Sequence, residues 1–518
     1  MKKQTQIFKT FVFKALVIST LFLAVGTLQA VETQETSKHW PTKGWQTSAP
    51  EKQGVDSEKL ADMLERIKSQ NINIRSVVVI RNGHVLFDAC FHPYRQDSWH
   101  IIHSCTKSIT SALIGIAIDK GYVESVKTPV LEFFPERTVA NLDENKKALT
   151  LEHLLTMSSG FLARDSYLYN WQGLKKMRAS HDWVQYMLDL QMANAPGTKF
   201  DYSNGVSFLL SAILQEKTGK NALAFAKEHL FSPLGIHEVD WPSNPQGITI
   251  GWGRMRMRPL DMAKIGFLYL NKGVWEGKQV VSSAWVEAST REQIKSGTLS
   301  DGYGYQWWVD KDGYYMALGY SGQYIVVLPQ QNMVVVFTSA LPLFGFFIPE
   351  MLLRNYIIPA AHSSTPLPEN PEGEKRLQSV LQAISNPKAS PVPALPEIAQ
   401  KISGKTFVFD ANPINFKRLS LDFGNKEDEA LLALSYMDRN IQVLVGLDSV
   451  YRLTEAAGYL RAYRGFWEND HTFVIDYQVV DYSERGKILV TFEGDKMTAV
   501  MREEVSGSSN KLTARIKD

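Results

Sequence analysis

Cysteine is scarce in this sequence of 518 residues, which contains only Cys90 and Cys105. Two cysteines exclude a disulfide-rich scaffold and any zinc or iron–sulfur site built from several thiolates. A single Cys90–Cys105 disulfide and two buried free thiols are both compatible with the sequence.

An excess of charge of either sign is also missing. The chain has 56 Lys and Arg against 54 Asp and Glu, which gives a net charge of +2. Since nucleic-acid binding needs a clustered basic excess, the composition predicts no nucleic-acid partner. Hydrophobic residues make up 44% and charged residues 21%, a globular composition that excludes a mostly disordered chain. The length predicts more than one domain.

Long apolar runs are missing beyond the N-terminus. Residues Ala15–Val25 are largely apolar, follow four lysines and lead to the small residue Ala30. This pattern is typical of a secretory signal peptide, so we expect residues 1–30 to be removed and the protein to be secreted to the periplasm without a membrane span. An uncleaved N-terminal anchor is the alternative. The apolar stretch Phe344–Leu353 is too short to cross a bilayer and is predicted to belong to a buried element.

Local patterns divide the rest of the chain into three parts. Residues 31–360 mix an amphipathic helix at Ser57–Lys68 with hairpins at Arg75–Cys90 and Gln323–Thr338. Eight prolines from Pro359 to Pro396 predict a linker over residues 361–397, with a short helix inside it. Short apolar runs separated by turn residues predict an all-β domain over residues 398–518. Its predicted strands are Phe407–Phe409, Ala430–Tyr436, Ile441–Val445, Phe473–Ile475, Ile488–Phe492 and Met497–Met501.

The first motif that can carry chemistry is Ser104-Cys105-Thr106-Lys107, an S-x-x-K tetrad. Apolar residues at helical spacing follow it, so Ser104 is predicted to open a helix with Lys107 on the same face one turn later. The positive end of the helix then lies beside the Ser104 hydroxyl. The alternative is a serine that caps the helix and a solvated lysine.

The second motif is Tyr202-Ser203-Asn204, a Y-x-N about a hundred residues further on. A phenol can relay a proton when a neighbouring ammonium group lowers its pKa. The asparagine can hold a lysine or a substrate carbonyl. The alternative is a half-buried tyrosine followed by an asparagine turn.

The two motifs in this order resemble the serine β-lactamase-like hydrolases, a superfamily of class C β-lactamases, DD-peptidases, family VIII esterases and 6-aminohexanoate-dimer hydrolases. The resemblance extends over about residues 50–360. It includes the stretches Thr150–Gly160, Phe231–Gly235, Arg258–Gly266, Gly273–Lys278 and Tyr303–Trp308. It implies an α/β (α+β) fold with an antiparallel sheet flanked by helices and a helical subdomain, followed here by the small all-β domain.

A third motif departs from the family pattern. The family carries K-T-G or H-T-G before an inner strand, whereas this sequence has Tyr320-Ser321-Gly322 before the Gln323–Leu328 strand. A cation at the first place helps to bind a substrate carboxylate, and Tyr320 carries no positive charge. The stretch therefore resembles the esterase and 6-aminohexanoate-dimer hydrolase branch more closely than the β-lactamases and DD-peptidases.

The resemblance implies a role for each site residue. Ser104 is the nucleophile that forms an acyl-enzyme, and Lys107 and Tyr202 share the acid and base roles. The backbone N–H groups of Ser104 and Gln323 form the oxyanion hole, and Asn204 orients Lys107 or the substrate. Substrate contacts are also expected from Tyr320 and from Tyr167, which lies in a loop after the Ser-Ser-Gly turn. The alternatives are a strand aromatic without substrate contact for Tyr320 and a packed surface loop for Tyr167. This chemistry needs no metal and no organic cofactor, and the expected partner is a small ester or amide.

Other interpretations stay open at this point. A DD-peptidase, D-aminopeptidase or β-lactamase activity is one, and a non-catalytic ligand-binding protein of penicillin-binding type is another. His103 directly precedes Ser104, but adjacent residues cannot easily align as a Ser–His pair. His100 and His103 lack a carboxylate partner that would suit a metal site.

Overall fold

The first predicted hairpin forms two neighbouring strands of a large sheet. Ile74–Arg81 (β2) and His84–Cys90 (β3) pair antiparallel around Asn82 and Gly83, both at positive φ, as the hairpin turn requires. Every residue of β2 is buried, so both faces of this strand are covered. The computed structural model describes residues 39–165, 170–297 and 299–517.

The central sheet has nine strands in the order β1-β3-β2-β13-β12-β11-β10-β9-β8, with β1 parallel to β3 and the other pairs antiparallel. Its remaining strands are Gln46–Thr47 (β1), Ile294–Lys295 (β8), Gly302–Tyr303 (β9), Trp308–Val309 (β10), Tyr315–Gly319 (β11), Gln323–Leu328 (β12) and Met333–Ser339 (β13). Two short pairs lie outside it: His100–Ile101 (β4) with Arg256–Met257 (β5), and Val274–Trp275 (β6) with Lys278–Gln279 (β7).

Helices cover the sheet and form a layer beyond it. They are Ser57–Ser69 (α1), Cys105–Asp119 (α2), Glu144–Lys147 (α3), Leu151–Leu155 (α4), Gln172–Ala179 (α5), Trp183–Leu188 (α6), Asn204–Thr218 (α7), Ala222–Ala226 (α8), Pro259–Leu270 (α9), Ser283–Thr290 (α10), Ile348–Leu352 (α11), Ile358–Ala360 (α12), Pro371–Ser385 (α13) and Glu397–Ile402 (α14). Helix α9 packs on β12 and β13, while α2 lies between β11 and α7. Residues 105–117 of α2 are all buried, so this helix crosses the interior.

A second sheet of ten strands forms the C-terminal domain. Its order is β17-β16-β15-β14-β23-β22-β21-β20-β19-β18, and a pairing of β17 with β19 closes it like a barrel. The strands are Thr406–Phe409 (β14), Phe416–Lys426 (β15), Glu429–Tyr436 (β16), Arg439–Gly446 (β17), Arg452–Ala456 (β18), Tyr459–Asn469 (β19), Thr472–Val479 (β20), Arg485–Glu493 (β21), Lys496–Glu503 (β22) and Ser509–Ile516 (β23). The predicted fold class is confirmed.

Each sheet has its own apolar core, and from Trp40 onward the described chain forms one compact unit. The stretch predicted as a linker contains α13, which packs against α1 and β3. The turn between β20 and β21 and the turn between β22 and β23 both reach the domain of the central sheet, through Asp481, Ser483 and Val505. The barrel therefore contacts the region that holds Ser104.

The prediction that Phe344–Leu353 belongs to a buried element holds for Phe346, Leu352 and Leu353 but not for the whole stretch. Phe344 is 96% exposed and Met351 is 53% exposed, whereas Leu353 is fully buried. A run of apolar residues does not specify its own burial, because the partner surface is supplied by distant parts of the chain.

In the described part of the chain, no helix is long and apolar enough to cross a membrane.

Candidate active site

Ser104 lies at the start of α2, as predicted. Its carbonyl accepts the first helical hydrogen bond from Lys107 N at 3.0 Å, while its side chain makes no capping bond to the helix. The hydroxyl is therefore left for other partners at the positive end of a buried helix. The interpretation of Ser104 as a side-chain cap is wrong.

Lys107 is 1% exposed, so the prediction of a solvated lysine is also wrong. Its Nζ lies 3.1 Å from Ser104 Oγ, 2.8 Å from Asn204 Oδ1 and 3.0 Å from the Trp252 carbonyl oxygen. Three oxygens thus surround one buried amine. The S-x-x-K and Y-x-N motifs meet at this atom.

Burial lowers the pKa of Lys107 from 10.5 to about 7, and the charge of Asp165 partly opposes that effect. The cause is the loss of hydration, which disfavours the charged form of an amine. A lysine with this pKa is neutral in a large fraction of molecules near neutrality. It can therefore accept a proton from the adjacent serine hydroxyl.

Tyr202 lies on the other side of the serine and lysine pair. Lys107 Nζ is 4.8 Å from the centre of its ring, and the ring stacks on Trp308 at 5.9 Å between centroids. Burial raises the pKa of the Tyr202 phenol, and a hydrogen bond with Ser104 partly opposes that rise. Tyr202 is therefore protonated near neutrality and is placed to donate to the serine oxygen.

Asp165 belongs to the same network, although sequence reasoning did not identify it. Its carboxylate accepts hydrogen bonds from Asn204 N at 2.7 Å, Gly205 N at 3.2 Å and Asn204 Nδ2 at 3.3 Å. These contacts hold the start of α7 and turn the Asn204 amide so that its oxygen faces Lys107. No local signal identifies Asp165, because it lies 39 residues before Asn204 and the cap residue of α7 is Ser203.

The strand that carries the third motif lies against the start of α2. Cys105 Sγ donates to the Gln323 carbonyl oxygen at 3.4 Å, and a Cβ on Gly319 would lie 2.4 Å from the Ile102 carbonyl oxygen. The backbone of Gln323 is therefore adjacent to that of Ser104 and Cys105. Tyr320 is half-buried, and its hydroxyl donates to the Val505 carbonyl oxygen of the barrel at 3.5 Å.

His103 does not form a catalytic pair with Ser104. Its Nε2 lies 2.6 Å from Ser483 Oγ in the barrel, and burial lowers the pKa of His103 to about 3. A neutral, half-buried imidazole with this hydrogen bond fixes the backbone before the serine. The two cysteines are both buried and both free, so the structure contains no Cys90–Cys105 disulfide.

The structure thus brings together Ser104, Lys107, Tyr202, Asn204 and Gln323, with Tyr320 beside them. Tyr167 lies outside the described residues, so its predicted substrate contact stays a prediction. Two further neighbours were not predicted: the Trp252 carbonyl that accepts from Lys107, and Trp308 beneath Tyr202. In the ranges that the structure describes, no group of three or more His, Cys, Asp or Glu side chains is arranged to hold a metal ion.

The helix-covered antiparallel sheet and the grouping of a serine, a lysine and a tyrosine agree with the fold and motifs of the serine β-lactamase-like superfamily. The model of the Beta-lactamase family matches residues 60–344, more than half of the chain, and the chain belongs to this family. The resemblance inferred from the motifs is confirmed.

Two curated relatives are named as hydrolases or esterases. The chain is 22% identical over 303 residues to the 6-aminohexanoate-dimer hydrolase of Paenarthrobacter ureafaciens, covering 55% of this chain and 76% of that protein. It is 22% identical over 231 residues to esterase EstB of Burkholderia gladioli, covering 40% of this chain and 58% of that protein.

Among solved structures, a putative 6-aminohexanoate-dimer hydrolase from Bacillus anthracis aligns with a TM-score of 0.51 and 21% identity. The alignment covers 64% of this chain and 91% of that chain. At this identity the likeness shows a shared fold.

Proposed function

We propose that this protein is a secreted serine hydrolase that cleaves a small ester or amide through an acyl-enzyme on Ser104. The observation that carries the proposal is the buried Lys107 amine, 3.1 Å from Ser104 Oγ and with a pKa of about 7. Membership of the Beta-lactamase family and the names of the two relatives support the reaction class.

The proton inventory of Lys107 suits a general base. A neutral amine has two N–H donors and one lone pair. The two N–H groups are satisfied by Asn204 Oδ1 and the Trp252 carbonyl, which leaves the lone pair for the Ser104 hydroxyl. When Ser104 Oγ attacks the substrate carbonyl, Lys107 accepts the hydroxyl proton and becomes an ammonium with three acceptors around it.

The carbonyl oxygen becomes negative as the new C–O bond forms. The backbone N–H groups of Ser104 and Gln323 are the proposed donors to this oxyanion, and the start of α2 adds the positive end of a helix. Removing one such donor typically costs about 10²–10³ in rate. The packing of Gly319 and Gln323 against residues 102–105 supports this choice of donors.

Tyr202 completes the cycle. Its phenol keeps its proton near neutrality, so it can donate to the leaving alcohol or amine while Lys107 resupplies the proton. A water molecule then attacks the acyl-enzyme, gives its proton to the same pair and releases the acid. Ser104 returns with its hydroxyl.

The substrate proposal follows from the missing cation. Tyr320 replaces the lysine or histidine that would bind a substrate carboxylate, and its hydroxyl already bonds to Val505. A small substrate without a carboxylate at this place suits the site better than a β-lactam or a D-alanyl peptide. Ester and amide substrates are both compatible with the geometry.

The test combines labelling with an activity screen. The purified protein is exposed to a fluorophosphonate probe and to short p-nitrophenyl esters, linear amides, D-amino-acid peptides and nitrocefin. We expect labelling and ester or amide turnover, both lost in Ser104→Ala. The matched control is Ser111→Ala, a buried serine on the same helix whose hydroxyl has no hydrogen-bond partner among the described residues.

Each outcome has a clear meaning. Labelling that survives in Ser104→Ala would overturn the assignment of the nucleophile. Turnover of nitrocefin or D-amino-acid peptides alone would overturn the substrate class. A folded protein without labelling or turnover would instead support a non-catalytic binding protein.

Secretion is a separate part of the proposal and rests on the four N-terminal lysines and the following apolar run. Fractionation of expressing bacteria, followed by N-terminal sequencing, tests it. We expect protein in the periplasmic fraction that begins near residue 31. Recovery of the intact N-terminus in the membrane fraction would support the anchor instead.

A further inference from the structure

A cavity of about 180 Å³ lies where the central sheet meets the barrel, and its lining has charge of one sign. The charged residues that line it are Lys68, Arg75, Arg464 and Arg485, with His92 beside them. Among the described lining residues there is no aspartate or glutamate. The volume is large enough for several water molecules and therefore for a small ion.

Arg75 is the most unusual of these residues because it is only 3% exposed. Its Nη1 donates to the Tyr482 carbonyl oxygen, and its guanidinium lies 4.8 Å from the centre of the Tyr94 ring. Its Nε and Nη2 have no hydrogen-bond partner among the described residues. Burial lowers the pKa of Arg75 and the charge of Arg485 adds to that effect, whereas the Tyr94 side chain and the charge of Asp481 oppose it.

The nearby carboxylates pair with arginines other than Arg75, two of which also line the cavity. Asp476 Oδ2 pairs with Arg464 Nη2 at 2.9 Å, and Glu504 Oε2 lies 2.8 Å from Arg485 Nε. Asp481 acts on Arg75 electrostatically, but its ion pair is with Arg256 Nη1 at 3.5 Å. Arg75 thus has no carboxylate of the described chain within ion-pair distance. A buried charge without a counter-charge is costly, so we expect an anion from outside the chain to bind here.

We infer that this cavity binds a tetrahedral oxyanion, phosphate or sulfate, through the unpartnered Nε and Nη2 of Arg75 with Arg485 as the second cation. The two N–H groups on one edge of a guanidinium match two oxygens of such an ion. This inference is independent of the proposed hydrolase reaction, since the cavity is lined by residues other than those around Ser104.

Binding here is expected to hold the barrel on the catalytic domain. Arg75 comes from β2 of the central sheet, whereas Arg485 begins β21 of the barrel. An anion between them would join the two domains and replace the repulsion of like charges by attraction. A ligand that binds only the folded form raises its thermal stability.

The experiment is calorimetric titration and thermal unfolding of the full protein with inorganic phosphate, sulfate and acetate, against chloride at the same ionic strength. We expect saturable binding of phosphate and sulfate and a rise in Tm that chloride does not produce. Acetate should bind more weakly. Acetate that binds more tightly than phosphate would overturn the tetrahedral assignment.

Two variants test whether phosphate binds at Arg75. Arg75→Met should weaken phosphate binding about 10- to 100-fold, as expected for the loss of hydrogen bonds to a charged group. Arg502→Met removes an exposed arginine of the barrel and should bind phosphate like the wild type. If Arg75→Met does not fold, Arg485→Met is used in the same way. Absence of binding to the wild type, or equal binding by wild type and Arg75→Met, would overturn the inference.

Discussion

The protonation of Lys107 predicts how hydrolysis depends on pH. Its pKa of about 7 lies well below the 10.5 of an exposed lysine. At pH 7 about half of the molecules therefore hold a neutral amine, whereas an ordinary lysine would be neutral in roughly one molecule in three thousand. Burial thus raises the supply of the base about a thousandfold.

The assay is kcat/KM for a p-nitrophenyl ester measured from pH 5 to pH 10, which reports the free enzyme. We expect the value to rise about tenfold per pH unit below 7 and to level off above it, because the protonated amine cannot accept the serine proton. No fall is expected below about pH 10, because burial raises the pKa of Tyr202 and keeps its phenol protonated.

Asp165→Asn tests the direction in which the pKa of Lys107 moves when a nearby negative charge is removed. The charge of Asp165 raises the pKa of Lys107, so removing it should move the acid limb to lower pH. Asp201→Asn is the matched control, because Asp201 is a half-buried carboxylate next to Tyr202 that does not shift the pKa of Lys107. A flat profile, a midpoint near 10, or full activity of Lys107→Arg would refute a neutral Lys107 as the base.

Two further substitutions test how the site is held. Ser483→Ala removes the hydrogen-bond partner of His103 Nε2, and leaving a buried polar group unpaired costs about 1–3 kcal/mol. We expect a lower kcat with little change in KM, and we expect Ser483→Thr to restore kcat. An unchanged kcat in Ser483→Ala would show that this contact with the barrel plays no role in the reaction. Gly319→Ala would place a Cβ 2.4 Å from the Ile102 carbonyl oxygen. We expect the free energy of unfolding, measured by thermal unfolding, to fall by about 1–3 kcal/mol and probe labelling to be slower. The control is Gly424→Ala, whose Cβ meets only a side-chain atom at 3.3 Å and which should behave like the wild type.

The parts of the fold that the sequence predicts are those with local causes. The Asn82-Gly83 turn and the apolar residues beside it define the β2–β3 hairpin without reference to other parts of the chain. The position of Lys107 relative to Ser104 also follows from helical spacing alone, and the distance of 3.1 Å agrees with it.

Strands with mixed polarity were harder to predict. Phe416–Lys426, Arg452–Ala456, Tyr459–Asn469 and Ser509–Ile516 were missed. In Phe416–Lys426 the buried Leu419, Leu421 and Phe423 alternate with less buried residues, so a period of two was present without an apolar run. Searching for alternation rather than for runs would have found this strand.

The electrostatic partners of the site could not be predicted, because they are distant in sequence. The Trp252 carbonyl lies 145 residues from Lys107, and Asp165 lies 39 residues from Asn204. Neither a backbone carbonyl nor a single aspartate has a motif of its own. Only the folded structure shows that the Trp252 carbonyl contacts the Lys107 amine and that Asp165 contacts the Asn204 amide.

The position of Asp165 explains how a carboxylate can lie near Lys107 without keeping it protonated. If Lys107 were its main partner, the pair would hold the proton on the amine and raise its pKa. Instead the N–H groups at the start of α7 and the Asn204 side chain take up the charge, at 2.7 to 3.3 Å. The Asn204 amide stands between the two groups, donating to Asp165 and accepting from Lys107. Burial raises the pKa of Asp165, and these N–H donors oppose that rise. Because the amide separates the two groups, Lys107 can lose its proton without breaking an ion pair, as the proposed attack by Ser104 requires.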